Sequence, residues 1–176
     1  EFLLKKFQDY EISRTPGGSI ANSLSAAAIH GATTSFSCSI GKDKEGIEFL
    51  KSLKGLDNFT KYSRKPTGVC IILITPDGER TMASCLDANI DLIPECLDNN
   101  KLEQSNILIF DSFAIETNNG FRTVKKSIQI ANNNGVEICY GVADQSLIQL
   151  HLEKIAWLMS QNINYVYGNE LEIKEL

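Results

Sequence analysis

Histidine is nearly absent from this sequence, and what little there is excludes a metal centre built on it. His30 and His151 are the only two among 176 residues, and neither falls within metal-ligand spacing of another candidate ligand. The five cysteines, Cys38, Cys70, Cys85, Cys96 and Cys139, never take CxxC spacing. No secretory leader is legible, so they read as reduced, mostly buried thiols of a cytoplasmic protein rather than a disulfide frame. No apolar run is long enough to span a membrane. Positive charge is short as well: 17 Lys and Arg face 22 Asp and Glu, for a net charge of −5. The basic residues are scattered, which excludes a nucleic-acid backbone footprint, although a local site can still oppose the global sign and take a small anion. There is no G-x-x-x-x-G-K-[ST] loop and no strand-linked G-x-G-x-x-G, so P-loop and dinucleotide-binding readings are set aside.

At 43% hydrophobic residues, the chain has enough apolar material for one buried core, and two domains would be crowded. Its organising stretch is Pro16-Gly17-Gly18-Ser19-Ile20-Ala21-Asn22, which runs into an Ala-rich segment closed by Gly31. Paired glycines after a proline allow a sharp turn and close backbone approach, and the run behind them predicts a tightly packed helix. Free N–H groups of a first helical turn can meet ligand oxygens, and Asn22 offers both donors and an acceptor. The same residues also read as a plain turn followed by a first-turn polar side chain.

Residues 1–10 predict a helical or irregular stub, and the absence of an initiator Met at Glu1 suggests a missing start. Glu11 to Arg14 predicts a short strand, and residues 33–40 a second one closed by Gly41. Asp43 is placed to cap a helix near Lys44 to Lys54, with Ile47, Leu50 and Leu53 on one face. Val69–Ile74 and Thr81–Leu86, joined through Asp77-Gly78, predict an antiparallel hairpin. Strands at Ile107–Phe110, Val136–Tyr140 and Tyr165–Tyr167 alternate with helical segments near Gly120–Asn132 and Ser146–Met159, which predicts a mostly parallel sheet covered by helices. Ligands in such folds gather at the carboxyl ends of strands, and that puts Asp111, Asn169 and Glu172 on the rim. For Asp111 a capping role and a ligand contact both remain open.

Five short motifs then occur in order: Pro16-Gly17-Gly18-Ser19-Ile20-Ala21-Asn22, Gly41-Lys42-Asp43-Lys44-Glu45-Gly46, Thr67-Gly68, Thr75-Pro76-Asp77-Gly78-Glu79-Arg80-Thr81-Met82, and Asn169-Glu170-Leu171-Glu172. Together they resemble the PfkB or ribokinase-like sugar kinases, with wording closest to the adenosine kinase-like branch. The resemblance runs from Thr15 to Leu176. It implies an α/β ribokinase-like domain over residues 1–176, incomplete at both ends, with a mostly parallel sheet flanked by helices and a small β lid near 11–14 and 68–86. The activity it implies is ATP-dependent, Mg²⁺-assisted phosphorylation of a hydroxymethyl group on a sugar or nucleoside. Gly17, Gly18 and Asn22 would bind that substrate, with Arg80 either joining them from the lid or serving as a solvated edge residue that protects its strand, and Asn169 and Glu172 would organise Mg²⁺ through its waters. Phosphoryl transfer needs positioning and charge neutralisation more than covalent chemistry, which suits this inventory.

The family's catalytic aspartate lies in a Gly-Ala-Gly-Asp stretch near its C-terminal end, and no residue here corresponds to it. No catalytic base is therefore assigned, and the 176-residue chain by itself is expected to be inactive. The N-terminal strand carrying the family's sugar-binding aspartate is missing too. Lid strands pair across a dimer in relatives, so a homodimer through them is expected. The alternative is a non-catalytic sugar- or nucleoside-binding protein, or an interaction protein, that keeps the substrate half of the fold. Three positions depart from the family pattern: Ile20 at a small-residue place, His30 where Leu is usual, and Asp87 in place of the Gly of a Gly-Ala pair. A carboxylate at Asp87 facing the cleft would disfavour an anionic substrate such as a sugar phosphate.

Overall fold

The computed structural model describes residues 12–176. The stub expected over 1–10 and the first residue of the strand expected at 11–14 lie outside them, and Ile12 to Arg14 carry no strand. The helices are α1 (Ser19–Ile29), α2 (Lys44–Ser52), α3 (Asn99–Glu103), α4 (Asn118–Asn134), α5 (Gln145–Leu150), α6 (Leu152–Met159) and α7 (Glu170–Glu175). The strands are β1 (Ser35–Ile40), β2 (Asp57–Tyr62), β3 (Val69–Ile74), β4 (Arg80–Cys85), β5 (Ile107–Asp111), β6 (Glu137–Gly141) and β7 (Tyr165–Tyr167). Among the described residues they form a parallel pair β1-β2, an antiparallel hairpin β3-β4, and a parallel sheet in the order β5-β6-β7.

The larger core lies where α4, α5 and α6 cover the β5-β6-β7 sheet. Phe110, Ile115, Val124, Ile128, Ile138, Tyr140, Val142, Ile148, Ile155 and Leu158 are buried together there. Burial of side chains of this size stabilises by roughly 1.5–3 kcal/mol each, offset by the ordering of the chain. Helix α4 starts at Thr117, whose hydroxyl accepts from the Gly120 N–H at 2.9 Å, and it stops at Gly135 in the left-handed region (φ 70°). A smaller cluster of Ala21, Leu53 and Leu56, packed by Leu24, Phe36 and Phe49, joins α1 and α2 to β1.

Two further elements depart from the sequence reading. The helix expected over Ser146–Met159 is two helices, because His151 leaves helical geometry at φ −130°, ψ 35°. Strand β2 escaped notice because Asp57-Asn58-Phe59-Thr60-Lys61-Tyr62 has an exposed polar composition; its pairing to β1 in parallel register, from Ser35 opposite Asp57 to Ile40 opposite Tyr62, makes it a strand. The hairpin forms where expected. Its turn is fastened by the Gly78 N–H donating to the Thr75 carbonyl at 2.8 Å.

The second and third motifs meet in one compact junction. The Thr67 amide donates to Asp43 Oδ2 at 2.6 Å and its hydroxyl to Asp43 Oδ1 at 2.5 Å, while the Gly41 N–H donates to the Thr67 hydroxyl at 3.0 Å. Asp43 Oδ1 also accepts from the Gly46 N–H at 2.9 Å, which caps α2. Glycine is needed here for space: a Cβ on Gly41 would sit 2.6 Å from Asp43 Oδ2 and from the Thr67 nitrogen, and one on Gly46 would sit 2.6 Å from the Gly41 carbonyl oxygen.

Candidate functional site

The carboxyl ends of β5, β6 and β7 lie in register, with Asp111 opposite Gly141 and Gly141 opposite Tyr167. Asp111, the last residue of β5, is only 6% exposed. Ser19, the first residue of α1, donates its hydroxyl to Asp111 Oδ2, which brings the glycine turn of residues 16–18 to this rim across 92 positions of sequence. Burial pushes the Asp111 carboxyl above its usual range, while the Ser19 hydroxyl and the backbone amides of Ala114 and Phe113 pull the other way.

Neighbouring residues make the rim stiff. Ser112 and Tyr140 are both fully buried and share a hydrogen bond of 2.6 Å between their hydroxyls. Lys154 donates to the Ile115 and Glu116 carbonyls at 2.7 and 3.1 Å, closing the 3-10 turn Ser112–Ile115 that follows Asp111. Burial lowers the Lys154 ammonium pKa. Gly141 is open enough for the Tyr167 ring to lie over it, since a Cβ there would stand 2.6 Å from the ring.

Gly18 has φ 110°, a conformation that suits glycine, and caps α1 without a side chain. The Asn22 amide N–H is used in the helix, donating to the Gly18 carbonyl at 2.9 Å. The Asn22 side chain is exposed and lines a shallow groove with Pro16, Ala21, Phe49 and Leu53. Arg80 opens β4 opposite Ile74 and is exposed. Among the described residues, no side-chain hydrogen bond or ion pair joins Asn22 or Arg80 to the β5-β6-β7 rim.

Asn169 and Glu172, just beyond β7, are brought together as a reciprocal cap of α7. Asn169 Oδ1 accepts from the Glu172 N–H at 2.9 Å, and the Glu172 carboxylate accepts from the Asn169 N–H at 2.9 Å and from Nδ2 at 2.8 Å. Gly168 permits this fold-back, because a Cβ there would meet Glu172 Oε2 at 2.8 Å. The sequence reading took this motif only as a metal-organising pair; the spacing N-x-x-E is also a capping signal. Among the described residues no group of three or more His, Cys, Asp or Glu side chains is placed to hold a metal ion. Sequence reasoning also missed Ser19 as a site residue. Its partner lies at the end of a strand far away in sequence, and no local pattern reports such a pairing.

The pfkB family carbohydrate kinase model matches residues 5–176. The chain belongs to the pfkB family. Its fold is that of adenosine kinases and related sugar kinases. Adenosine kinase from Sinorhizobium meliloti superposes with a TM-score of 0.89 at 21% identity, over 99% of this chain and 55% of that one. Adenosine kinase from Anopheles gambiae, solved in complex with P1,P4-di(adenosine-5) tetraphosphate, gives 0.88 at 21% identity, over 99% of this chain and 56% of that one. A probable sugar kinase from Rhizobium etli CFN 42 gives 0.85 at 23% identity, over 90% of this chain and 50% of that one. This pfkB-family chain thus spans about half the length of the structures it matches. No described helix is long and apolar enough to cross a membrane.

Proposed function

We propose that this chain supplies the substrate-holding half of an ATP-dependent kinase acting on a hydroxymethyl group of a sugar or nucleoside, adenosine or a related compound. The observation that carries the reading is the delivery of the glycine turn to the carboxyl rim of a parallel sheet by the Ser19–Asp111 contact, within a chain of the pfkB family. Gly17 and Gly18 leave backbone groups accessible at the turn, and Asn22 presents a donor and an acceptor to adjacent hydroxyls. Arg80 approaches the substrate from the lid hairpin.

Asn169 and Glu172 fit a water-mediated role toward Mg²⁺. The two Glu172 oxygens and Asn169 Oδ1 each accept one hydrogen bond in the α7 cap, which leaves each a second acceptor site. When bound with ATP, the ion neutralises charge on the phosphates during transfer. Glu172 would orient its waters, and the capping contacts would keep the carboxylate from rotating away. No catalytic base is assigned among residues 1–176, so the chain alone is inactive on this reading. The exposed hairpin β3-β4 serves as the contact between two copies, and the protein works in the cytoplasm.

The test is ATP-dependent phosphorylation of adenosine and of a panel of free sugars, measured with the full gene product that carries this chain and with the 176-residue chain. Turnover by the former and none by the latter is the expected outcome. Saturable adenosine or sugar binding by the full product with no phosphorylation would overturn the kinase reading in favour of a binding protein.

A further inference from the structure

We infer that Asp111 is a positioning residue: its buried carboxylate, through the Ser19 hydroxyl, fixes the Gly17–Gly18 turn and the first turn of α1 relative to the β5-β6-β7 rim. Apart from the buried Ala21, little else holds this segment. Residues 12–19 are exposed, and a Cβ on Gly17 would meet nothing within 4 Å. The other side-chain tether among the described residues is the solvated Arg14–Glu45 ion pair at 3.6 Å, of a kind that contributes little. Helix α1 has neither a side-chain cap nor an acidic residue in its first turn. Asp111 does not cap those backbone N–H groups; it accepts from the Ser19 side chain and so ties the helix start to another element.

A carboxylate that is 6% exposed is costly unless it is hydrogen-bonded, and at the end of β5 an apolar residue would pack without that cost. Besides its bonds from the Ala114 and Phe113 amides, what Asp111 has that an apolar side chain lacks is a grip on Ser19. The rim that holds Asp111 is itself immobilised by Ser112–Tyr140 and by Lys154, so the grip transmits a fixed position to the loop. A glycine turn free to move would have to be ordered by each incoming substrate, which raises KM, whereas the chemistry after binding would be unaltered.

The consequence for substrate rests on the proposed kinase reading; the tether itself does not. The variants are Ser19→Ala, Asp111→Ala and Asp111→Asn, with amide hydrogen exchange of the chain and adenosine kinetics of the full gene product as readouts. Ser19→Ala and Asp111→Ala are each expected to speed exchange of the hydrogen-bonded amides of Asn22 and Ser23 by about 10-fold, leaving α4 unchanged. KM for adenosine rises by about 10-fold with kcat within about twofold. Asp111→Asn, which keeps an oxygen to accept from Ser19, recovers most of both effects. The double variant Ser19→Ala/Asp111→Ala is no worse than either single one, because both remove the same contact. Unchanged exchange at Asn22 and Ser23 in Ser19→Ala, or additive effects in the double variant, overturns the inference. Ser19 is exposed, so its variant reports even where Asp111→Ala fails to fold. The two readings separate through Asn22→Ala. Faster exchange at Asn22 and Ser23 in Ser19→Ala with adenosine KM unmoved by Asn22→Ala supports the tether and overturns the substrate site; raised KM in Asn22→Ala with unchanged exchange in Ser19→Ala overturns the tether alone.

Discussion

Thr67 clasps both carboxylate oxygens of Asp43, one with its amide and one with its hydroxyl, and so locks the segment before β3 onto the first turn of α2. Two motifs separated by 24 residues are thereby one structural unit. Thr67→Val keeps the shape but leaves Asp43 and the buried Gly41 N–H short of a partner. A loss of about 1–3 kcal/mol is expected in urea denaturation. Gly41→Ala should cost more, because its Cβ would press on backbone atoms of Thr67 and Lys65 that cannot swing aside.

The same junction sets an acid response. Burial alone raises the Asp43 pKa, but the hydrogen bonds from the Thr67 hydroxyl, the Thr67 amide and the Gly46 amide outweigh it and hold the carboxyl below its ordinary value of 3.8. A depressed folded pKa contributes stability that is present above the unfolded value and lost as pH falls through the folded one. Asp111 has the opposite sign. Its raised pKa means that the folded state binds the proton more tightly, so its contribution is fully present below 3.8 and declines as pH rises through the raised value. Asp43→Asn should therefore flatten the loss of stability on acidification, and Asp111→Asn the decline above 3.8, both read from denaturation midpoints across pH.

Asp87 holds φ at 41°, a conformation that L residues adopt reluctantly, and its carboxylate accepts from the Cys85 thiol at 3.0 Å. Glycine would adopt that conformation without strain. Asp87→Gly should leave stability level or slightly raised, whereas Asp87→Val should cost about 1–2 kcal/mol. Thermal melts of the two variants check the contrast. Equal losses in both would make the backbone account wrong.

Asn22 and Glu172 are separable in kinetics. Asn22→Ala in the full gene product should lower kcat/KM for the sugar-bearing substrate by about 10- to 100-fold with little change in Tm, since Ala suits the helix. Glu172→Gln should lower kcat and shift the Mg²⁺ dependence while sparing stability, because Gln can still serve the α7 cap. A fall in Tm for both with unaltered kinetics would make them purely structural.

The hairpin β3-β4 exposes Ile72, Ile74 and Met82 on one face, at 49%, 71% and 60%. Association through that face is expected, and Met82→Lys should shift the protein toward monomer in sedimentation velocity. A concentration-independent monomer in the parent chain would count against the contact.

Local residue chemistry determined a good deal of this protein. The hairpin around Asp77-Gly78, the Asp43 cap, the apolar strands β5 and β7 and the family motifs all follow from turn preference, capping and periodicity, which act over a few residues. Tertiary structure alone decided what depends on distant partners. Strand β2 exists because β1 pairs with it. Above all, the Ser19–Asp111 contact arises only when the fold brings the start of α1 to the end of β5. A hydrogen bond spanning 92 residues leaves no local trace, because its acceptor becomes identifiable only after burial has removed water as a partner.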